Sequence, residues 1–242
     1  MAQNIYDDPG FFAGYAQLRR STDGLDGAPE WPALRRLLPP LRGARVIDLG
    51  CGYGWFCRYA RAQGAAQVLG VDLSARMLER ARADTGDAAV EYRQADLDRY
   101  AFGDASYDLV YSSLTLHYLD DIAALFARIR AALAPGGRLL FSAEHPIYTA
   151  PRHPGWTLDA RGRRTWPVDG YRHEGPRLTD WLAPGVRKQH RTLGTVLNAL
   201  IGAGLRIAHV EEWGPSAEQV ARQPELAEEN ERPMLVLVAA DR

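Results

Sequence analysis

The segment Val46-Ile47-Asp48-Leu49-Gly50-Cys51-Gly52-Tyr53-Gly54 constrains the fold of this chain more than any other, because an apolar run passes directly into glycines at every second position. A short apolar run of this kind reads as a strand buried on both faces, which belongs to a parallel sheet covered by helices. The glycines let backbone N–H groups approach a ligand where a Cβ would collide, and the turn opens a helix whose amino end carries partial positive charge. Strand, glycine turn and helix together form a site for a nucleoside-containing cofactor. The spacing is G-x-G-x-G, with Trp55 where a dinucleotide fingerprint has its third glycine, and the chain has no G-x-x-x-x-G-K-[ST] phosphate loop. Asp48 lies within the strand, where it can accept hydrogen bonds from an ammonium group.

From residue 45 to about 142 apolar runs alternate with helical patterns, the signature of βαβ units. Residues 46–49, 68–72, 90–93, 109–112 and 138–142 read as successive strands. Asp72 closes the second and is suited to bind both hydroxyls of a ribose. Asp96, in Ala95-Asp96-Leu97, can hydrogen-bond an adenine amino group between apolar walls. Ser74 is placed to cap a helix with Met77, Leu78 and Ala81 inward. Asp120 and Asp121 are candidate caps for a helix marked by Ile122, Leu125, Phe126, Ile129 and Leu133, with Pro135-Gly136-Gly137 as its stop. A further helix carries Leu193, Val196, Leu197, Leu200 and Ile201, and strand-like runs follow at 206–213 and 234–240.

These motifs, together with Gly70-Val71-Asp72-Leu73-Ser74, Tyr107-Asp108-Leu109-Val110-Tyr111-Ser112-Ser113 and Leu133-Ala134-Pro135-Gly136-Gly137-Arg138-Leu139, resemble those of the class I S-adenosylmethionine-dependent methyltransferases, in particular the bacterial group that modifies small molecules. The resemblance spans almost the whole chain. It implies an α/β, Rossmann-like, doubly wound sheet of seven strands, mostly parallel with an antiparallel last strand, in the order 3-2-1-4-5-7-6. It implies one domain over 1–242, with 1–42 as an N-terminal cap and 146–192 as a substrate lid. The cofactor implied is S-adenosyl-L-methionine, giving S-adenosyl-L-homocysteine. The residues expected to hold it are Tyr15, Arg19, Asp48, Gly50, Cys51, Gly52, Gly54, Asp72, Leu73, Met77, Asp96, Leu97, Ser112, Ser113 and His117. For Met77 the competing role is core filling. For the aromatic cluster Tyr6, Phe11, Phe12 and Tyr15 it is packing of the domain's flank rather than cover for the methionine end.

The 242 residues carry a formal net charge of −1, which gives no general attraction to polyanions and argues against nucleic acid as partner. The asparagine- or aspartate-proline-proline motif of nucleic-acid and protein methyltransferases is missing after the fourth strand. Two cysteines, Cys51 and Cys57, offer neither a disulfide framework nor metal-ligand spacing, so no metal is expected. No apolar run of signal or membrane-spanning length occurs, and a soluble, cytoplasmic monomer or homodimer is expected. Lys188 is the sole lysine, consistent with genomic base composition.

Residues 146–192 read as the least regular part, with six prolines and nine basic residues against four acids. Their aromatics argue against disorder, and a segment of this length in a compact domain serves as a lid. Trp156, Trp166, Tyr171 and Trp181, with Tyr6, are the candidate substrate-binding residues. Aromatic faces beside arginines suit a flat or acidic small molecule; a solvated, partly paired surface, or a dimer contact through the Trp faces, is the alternative. Methyl transfer is an in-line displacement in which positioning supplies much of the rate, so no triad is required. The candidate bases are His117, Glu144 and His145, each with a local packing or loop-stabilising role as alternative. His190 has Thr192 capping beside it. The expected activity is methyl transfer to O, N or C of a small-molecule acceptor. A cyclase or lyase that consumes the same cofactor, and a non-catalytic cofactor-binding protein, are the alternatives.

Overall fold

The computed structural model describes residues 3–242. Its frame is a seven-stranded sheet in the order β10-β11-β5-β4-β1-β2-β3. The strands are β1 (Arg45–Leu49), β2 (Gln67–Asp72), β3 (Val90–Gln94), β4 (Tyr107–Ser113), β5 (Leu133–Glu144), β10 (Arg206–Glu212) and β11 (Leu235–Asp241). Strands β1 to β5 pair in parallel, whereas β11 runs antiparallel between β5 and β10. Counting only the strands of this sheet, the order is 3-2-1-4-5-7-6, as expected from the sequence.

Alternation along the strands splits the core into two layers. On one face Val46, Val68, Leu109, Tyr111 and Leu140 pack with α3 (Trp31–Leu37) and α4 (Trp55–Ala62), and Leu78 of α5 (Ala75–Ala83) joins them. On the other, Ile47, Leu49, Val110, Leu139 and Phe141 pack with α6 (Ile122–Ala132) and α8 (Leu193–Gly202). Short helices α1 (Pro9–Tyr15) and α2 (Arg19–Thr22) precede the sheet, and α7 (Pro146–Thr149) and α9 (Ala217–Arg222) lie in its later connections. The caps follow the sequence signals. Ser74 accepts from Met77 N at 3.1 Å, Asp121 from Ala124 N at 2.9 Å and Thr192 from Thr195 N at 3.1 Å. Helix α6 ends at Ala132, before the Pro135-Gly136-Gly137 stop; those residues lie within a register shift at the start of β5, where Tyr107 pairs with Leu133 and Leu109 with Arg138.

The segment 146–192 is more regular than its composition suggests. It holds α7, a small hairpin of β6 (Thr157–Leu158) and β7 (Arg164–Thr165), and a longer one of β8 (Gly175–Trp181) and β9 (Ala183–His190). Proline and glycine weaken the strand signal there, but β8 alternates in exposure along its length, as a half-covered strand does. No helix among the described residues is long and apolar enough to cross a membrane.

Phe126 of α6 is fully buried, with its ring 5.8 Å from that of Phe141 in β5. Phe126→Ala is expected to lower the unfolding free energy by about 3–5 kcal/mol, measured by urea titration.

Candidate functional site

The carboxyl ends of β1, β2 and β4 open onto a cavity of about 230 Å³. At its floor the glycine turn is fixed by backbone bonds: Gly50 N and Cys51 N both donate to Val71 O, at 2.7 and 3.1 Å. Gly52 adopts φ +51°, and a Cβ there would meet no atom within 4 Å, so that face of the loop is bare toward the cavity. Gly54 serves a different purpose: a Cβ on it would lie 2.1 Å from the Tyr92 hydroxyl. Gly54 and Cys51 therefore shape the loop without lining this cavity.

Asp72 joins two turns, accepting from Gly52 N after β1 and from Ser74 N after β2 at 2.9 Å each. Burial raises its carboxyl above the usual range, and these backbone bonds oppose that rise. Leu73, Met77, Asp96 and Leu97 continue the same wall. Met77 is buried in the core and also lines this wall. One Asp96 oxygen accepts from Asp98 N at 3.0 Å.

Behind the glycine turn a smaller cavity, about 90 Å³, is lined by Tyr15, Arg20, Glu30, Asp48 and Ser113 among others. Arg20 donates to both Glu30 oxygens, at 3.2 and 3.3 Å. Asp48 is only 2% exposed, and its sole hydrogen-bond partner is the Cys57 thiol at 3.5 Å. Burial pushes its carboxyl up to about 7, with no cation beside it. Asp48 is thus a buried carboxyl with no cation bonded to it among the described residues, in a cavity it shares with the bare Gly52.

Two expectations fail here. Arg19 is exposed, bonded to Gln223 at 3.1 Å and paired with Asp23, and lines neither cavity. Arg20, one residue on and so rotated about the short helix, lines both cavities instead. Ser112 is buried in the sheet with its hydroxyl on Leu49 O at 2.8 Å, whereas Ser113 faces both cavities. Strand alternation separates the two serines.

At its other end the larger cavity is closed by Tyr6, Tyr15, His117, Tyr118, Glu144, Trp181 and Lys188. Tyr6 and Tyr118 share a hydroxyl–hydroxyl hydrogen bond of 3.1 Å, and the Tyr6 ring lies edge-on to Phe11, Tyr15 and Tyr118. Trp181, on the hairpin, meets Phe11 at 5.4 Å and Tyr15 at 6.4 Å. Phe12 turns away, toward Tyr53.

The three candidate bases part company. His117 is buried and held down to about 4, chiefly by desolvation. Its Nδ1 accepts from Glu144 N at 3.4 Å, which leaves the proton on Nε2 and makes the ring a donor toward its surroundings. His145 lies outside the cavity. Its Nδ1 accepts from Ile147 N at 3.0 Å as the cap of α7 and its Nε2 meets Glu212 at 2.8 Å. Glu144 pairs with Lys188 through Oε1, while Oε2 is buried with no partner. His190 is committed to Thr149 and Tyr171 O.

Glu144, Tyr148, Trp181, Lys188 and Met234 are also walls of a second cavity, about 430 Å³, beneath the 146–192 segment. Trp156 and Trp166 line it, with Arg232, whose guanidinium lies 4.7 Å from the Tyr148 ring and 4.6 Å from that of Trp166. Tyr171 lies apart, against His190. Several of the segment's basic side chains are held by neighbours: Arg187 by Asp120, Arg163 by Asp159, Arg164 by Glu228, Arg191 by backbone carbonyls and Arg177 by three neighbouring carbonyls besides that of Pro176. Sequence reasoning missed Arg20, Lys188 and Arg232. The rarity of Lys188 was a signal for one of them; nothing local marked Arg232. Among the described residues no three His, Cys, Asp or Glu side chains are grouped to hold a metal ion.

A buried carboxyl raised to about 7 makes the fold's stability depend on pH. Relative to the unfolded chain, the contribution of Asp48 is fully present below about pH 4 and is lost as pH rises through 7. Asp48→Asn is therefore expected to raise the melting temperature in the absence of ligand, by more at pH 8 than at pH 5, as read by calorimetry. A gain independent of pH would contradict the assignment.

Residues 47–141 match the family described as "Methyltransferase domain". A crystal structure of an S-adenosylmethionine-dependent methyltransferase from Mesorhizobium loti is 59% identical, covering 90% of this chain and 100% of its own, with a TM-score of 0.88. A malonyl-[acyl-carrier protein] O-methyltransferase from Erwinia billingiae is 35% identical over 182 residues, 72% of this chain and 69% of the relative. An uncharacterized Haemophilus influenzae protein is 32% identical over 98% of this chain and 96% of its own. Likeness of this extent, on a sheet with the inserted antiparallel strand, places the chain in the class I S-adenosylmethionine-dependent methyltransferases, enzymes for which S-adenosylmethionine is the methyl donor.

Proposed function

We propose that residues 1–42 and 146–192 serve as cap and lid of one methyltransferase domain, and that the protein methylates a small-molecule acceptor held between them. The donor supplies a methyl carbon made electrophilic by an adjacent sulfonium. Asp72 binds the ribose hydroxyls, Asp96 and Leu97 the adenine, Asp48 the ammonium and Arg20 the carboxylate of the methionine part. Tyr15 and Tyr6 turn aromatic surface toward the sulfonium end, which favours a cation. The remaining work is to orient the nucleophile, exclude water and receive a proton.

The observation that carries this reading is Glu144. It stands at the wall common to the 230 and 430 Å³ cavities with a buried, unpartnered oxygen, while both ring nitrogens of His145 are committed and His117, accepting at Nδ1, is left to donate from Nε2. Glu144 takes the proton of an oxygen or nitrogen nucleophile, and His117 donates a hydrogen bond beside it. The near-neutral net charge suits a small acceptor better than a polyanion.

Gly52→Val is expected to abolish S-adenosylmethionine binding in calorimetry, because the side chain fills bare space over the loop. Asp72→Ala should cost at least about 1.5–3 kcal/mol of binding free energy. Normal affinity in both variants would overturn the donor site.

Glu144→Gln should lower transfer of isotope label from S-adenosylmethionine to small molecules of a cell extract by about 10²-fold, with donor affinity within twofold of the parent. Undiminished transfer would remove Glu144 from the chemistry. Incubated without extract, the enzyme should leave the donor intact; release of methylthioadenosine would instead mark cyclisation or cleavage of the donor.

A further inference from the structure

Two arginines, Arg232 and Arg177, line the second cavity but not the donor cavity. Arg232 is 5% exposed, with its guanidinium set among the rings of Tyr148, Trp166 and, at 5.7 Å, Trp156. Its one hydrogen bond among the described residues runs from Nη2 to Glu229 at 3.0 Å; Nε is buried without a partner, and Nη1 has no acceptor either. Glu229 gives its other oxygen to Met234 N at 2.6 Å. Guanidinium donors left unpaired in so buried a side chain carry a cost that an acceptor on a ligand removes. Arg177 has the converse shortage. Its hydrogen bonds all end on neutral carbonyls, those of Ala150, Pro176, Gly170 and His173, and it forms no ion pair among the described residues. Burial, and after it the like charge of Arg152, hold its guanidinium below the ordinary range, offset only in part by Asp169; it remains a cation at neutral pH. The acids lining the same cavity are answered or solvated: Glu144 pairs with Lys188, Glu228 with Arg164 and the Trp156 indole, and Asp180 stands exposed on the hairpin.

We propose that the second cavity is the acceptor subsite and that it anchors an aromatic acceptor by an anionic group, a carboxylate or a phosphate, to which Arg232 donates hydrogen bonds and Arg177 supplies uncompensated charge. The proposal rests on the reading that the acceptor is a small molecule held beneath the 146–192 segment. The anion is the handle and not the methylated group. Arg177 and Arg232 line the second cavity alone, whereas the wall it shares with the donor cavity is made by Glu144, Tyr148, Trp181, Lys188 and Met234. The acceptor therefore lies with its anion away from the donor and its nucleophile toward that shared wall. A volume of about 430 Å³ is ordinary for a small-ligand site, and Trp156, Trp166 and Trp181 give it the apolar surface that a ring requires. The arginines and aromatics that lie side by side in the sequence of the segment are completed here by Arg232, which comes from outside it.

With S-adenosylhomocysteine saturating the donor cavity, calorimetry is expected to show 4-hydroxybenzoate or 4-hydroxyphenyl phosphate binding at least about tenfold more tightly than phenol, and the two anions separate a carboxylate site from a phosphate site. Equal affinity for all three, or binding of none, overturns the proposal. Titration of S-adenosylhomocysteine itself separates that outcome from failure of the donor site. The labelled products formed from cell extract are expected to keep an anionic group; neutral products alone would overturn the anchor and leave the small-molecule reading standing. Arg177→Gln should erase the preference for the anion over phenol, with affinity for S-adenosylhomocysteine unchanged. Because Arg232→Met alone strands the Glu229 carboxylate, the double variant Arg232→Met, Glu229→Gln removes the pair together, with the melting temperature as the check on folding, and should erase the preference as well. A preference retained in both variants would place the anion elsewhere and overturn the proposal; should the double variant not fold, Arg177→Gln alone decides.

Discussion

The Asp72 carboxylate is the constraint on which the site depends. With one oxygen on Gly52 N and the other on Ser74 N, it joins the turn after β1 to the turn after β2 and fixes the distance between the cofactor loop and α5. Ser74 carries the connection onward, since its hydroxyl caps α5 and donates to Asp7 at 2.5 Å, which also accepts from Arg76 N at 3.2 Å. Asp7 thereby anchors the segment that carries Tyr6, Phe11 and Tyr15. Those rings meet Trp181, and Gln3 bonds the backbone of β9 at Gly185 and Arg187. One chain of contacts runs from a strand end in the sheet to the hairpin that brings Lys188 to Glu144.

The buried charges divide the site by function. Arg20 with Glu30 and Lys188 with Glu144 are pairs, each stable because the partner is already present, and breaking either leaves an uncompensated charge. Asp48 has no such partner and is destabilising as a carboxylate until a cation arrives. Binding of an ammonium group at Asp48 thus relieves a cost built into the folded protein, the usual direction of trade between stability and function. One end of the cavities holds a buried carboxyl without a counter-ion, and the other holds a pair that carries its own.

The parts of this arrangement that sequence made legible are those whose causes are local. Strand, glycine turn and carboxylate at 46–54 and 68–74 are contiguous because backbone bonds between the two turns hold them together, and alternating burial places the helices on both faces. Arg19 and Ser112 were misplaced by one residue each, which is the resolution at which a helix register or strand face is decided by packing rather than by composition. The hairpin of β8 and β9 was hidden by Pro176, Pro184 and two glycines, and its role is visible only once Trp181 is seen against Phe11 and Tyr15. His145 had the chemistry of a base, but a cap for α7 and a bond to Glu212 consume both its nitrogens.

The other end of the cavity was legible only in part: Tyr6, Glu144 and Trp181 stood out as single residues, but they and Tyr118 and Lys188 come from five separate elements or turns and have no common spacing to show that they meet. Backbone N–H groups recognise a donor common to many enzymes and need a fixed local geometry. Side chains from distant elements recognise the acceptor, and they can change singly without disturbing the loop.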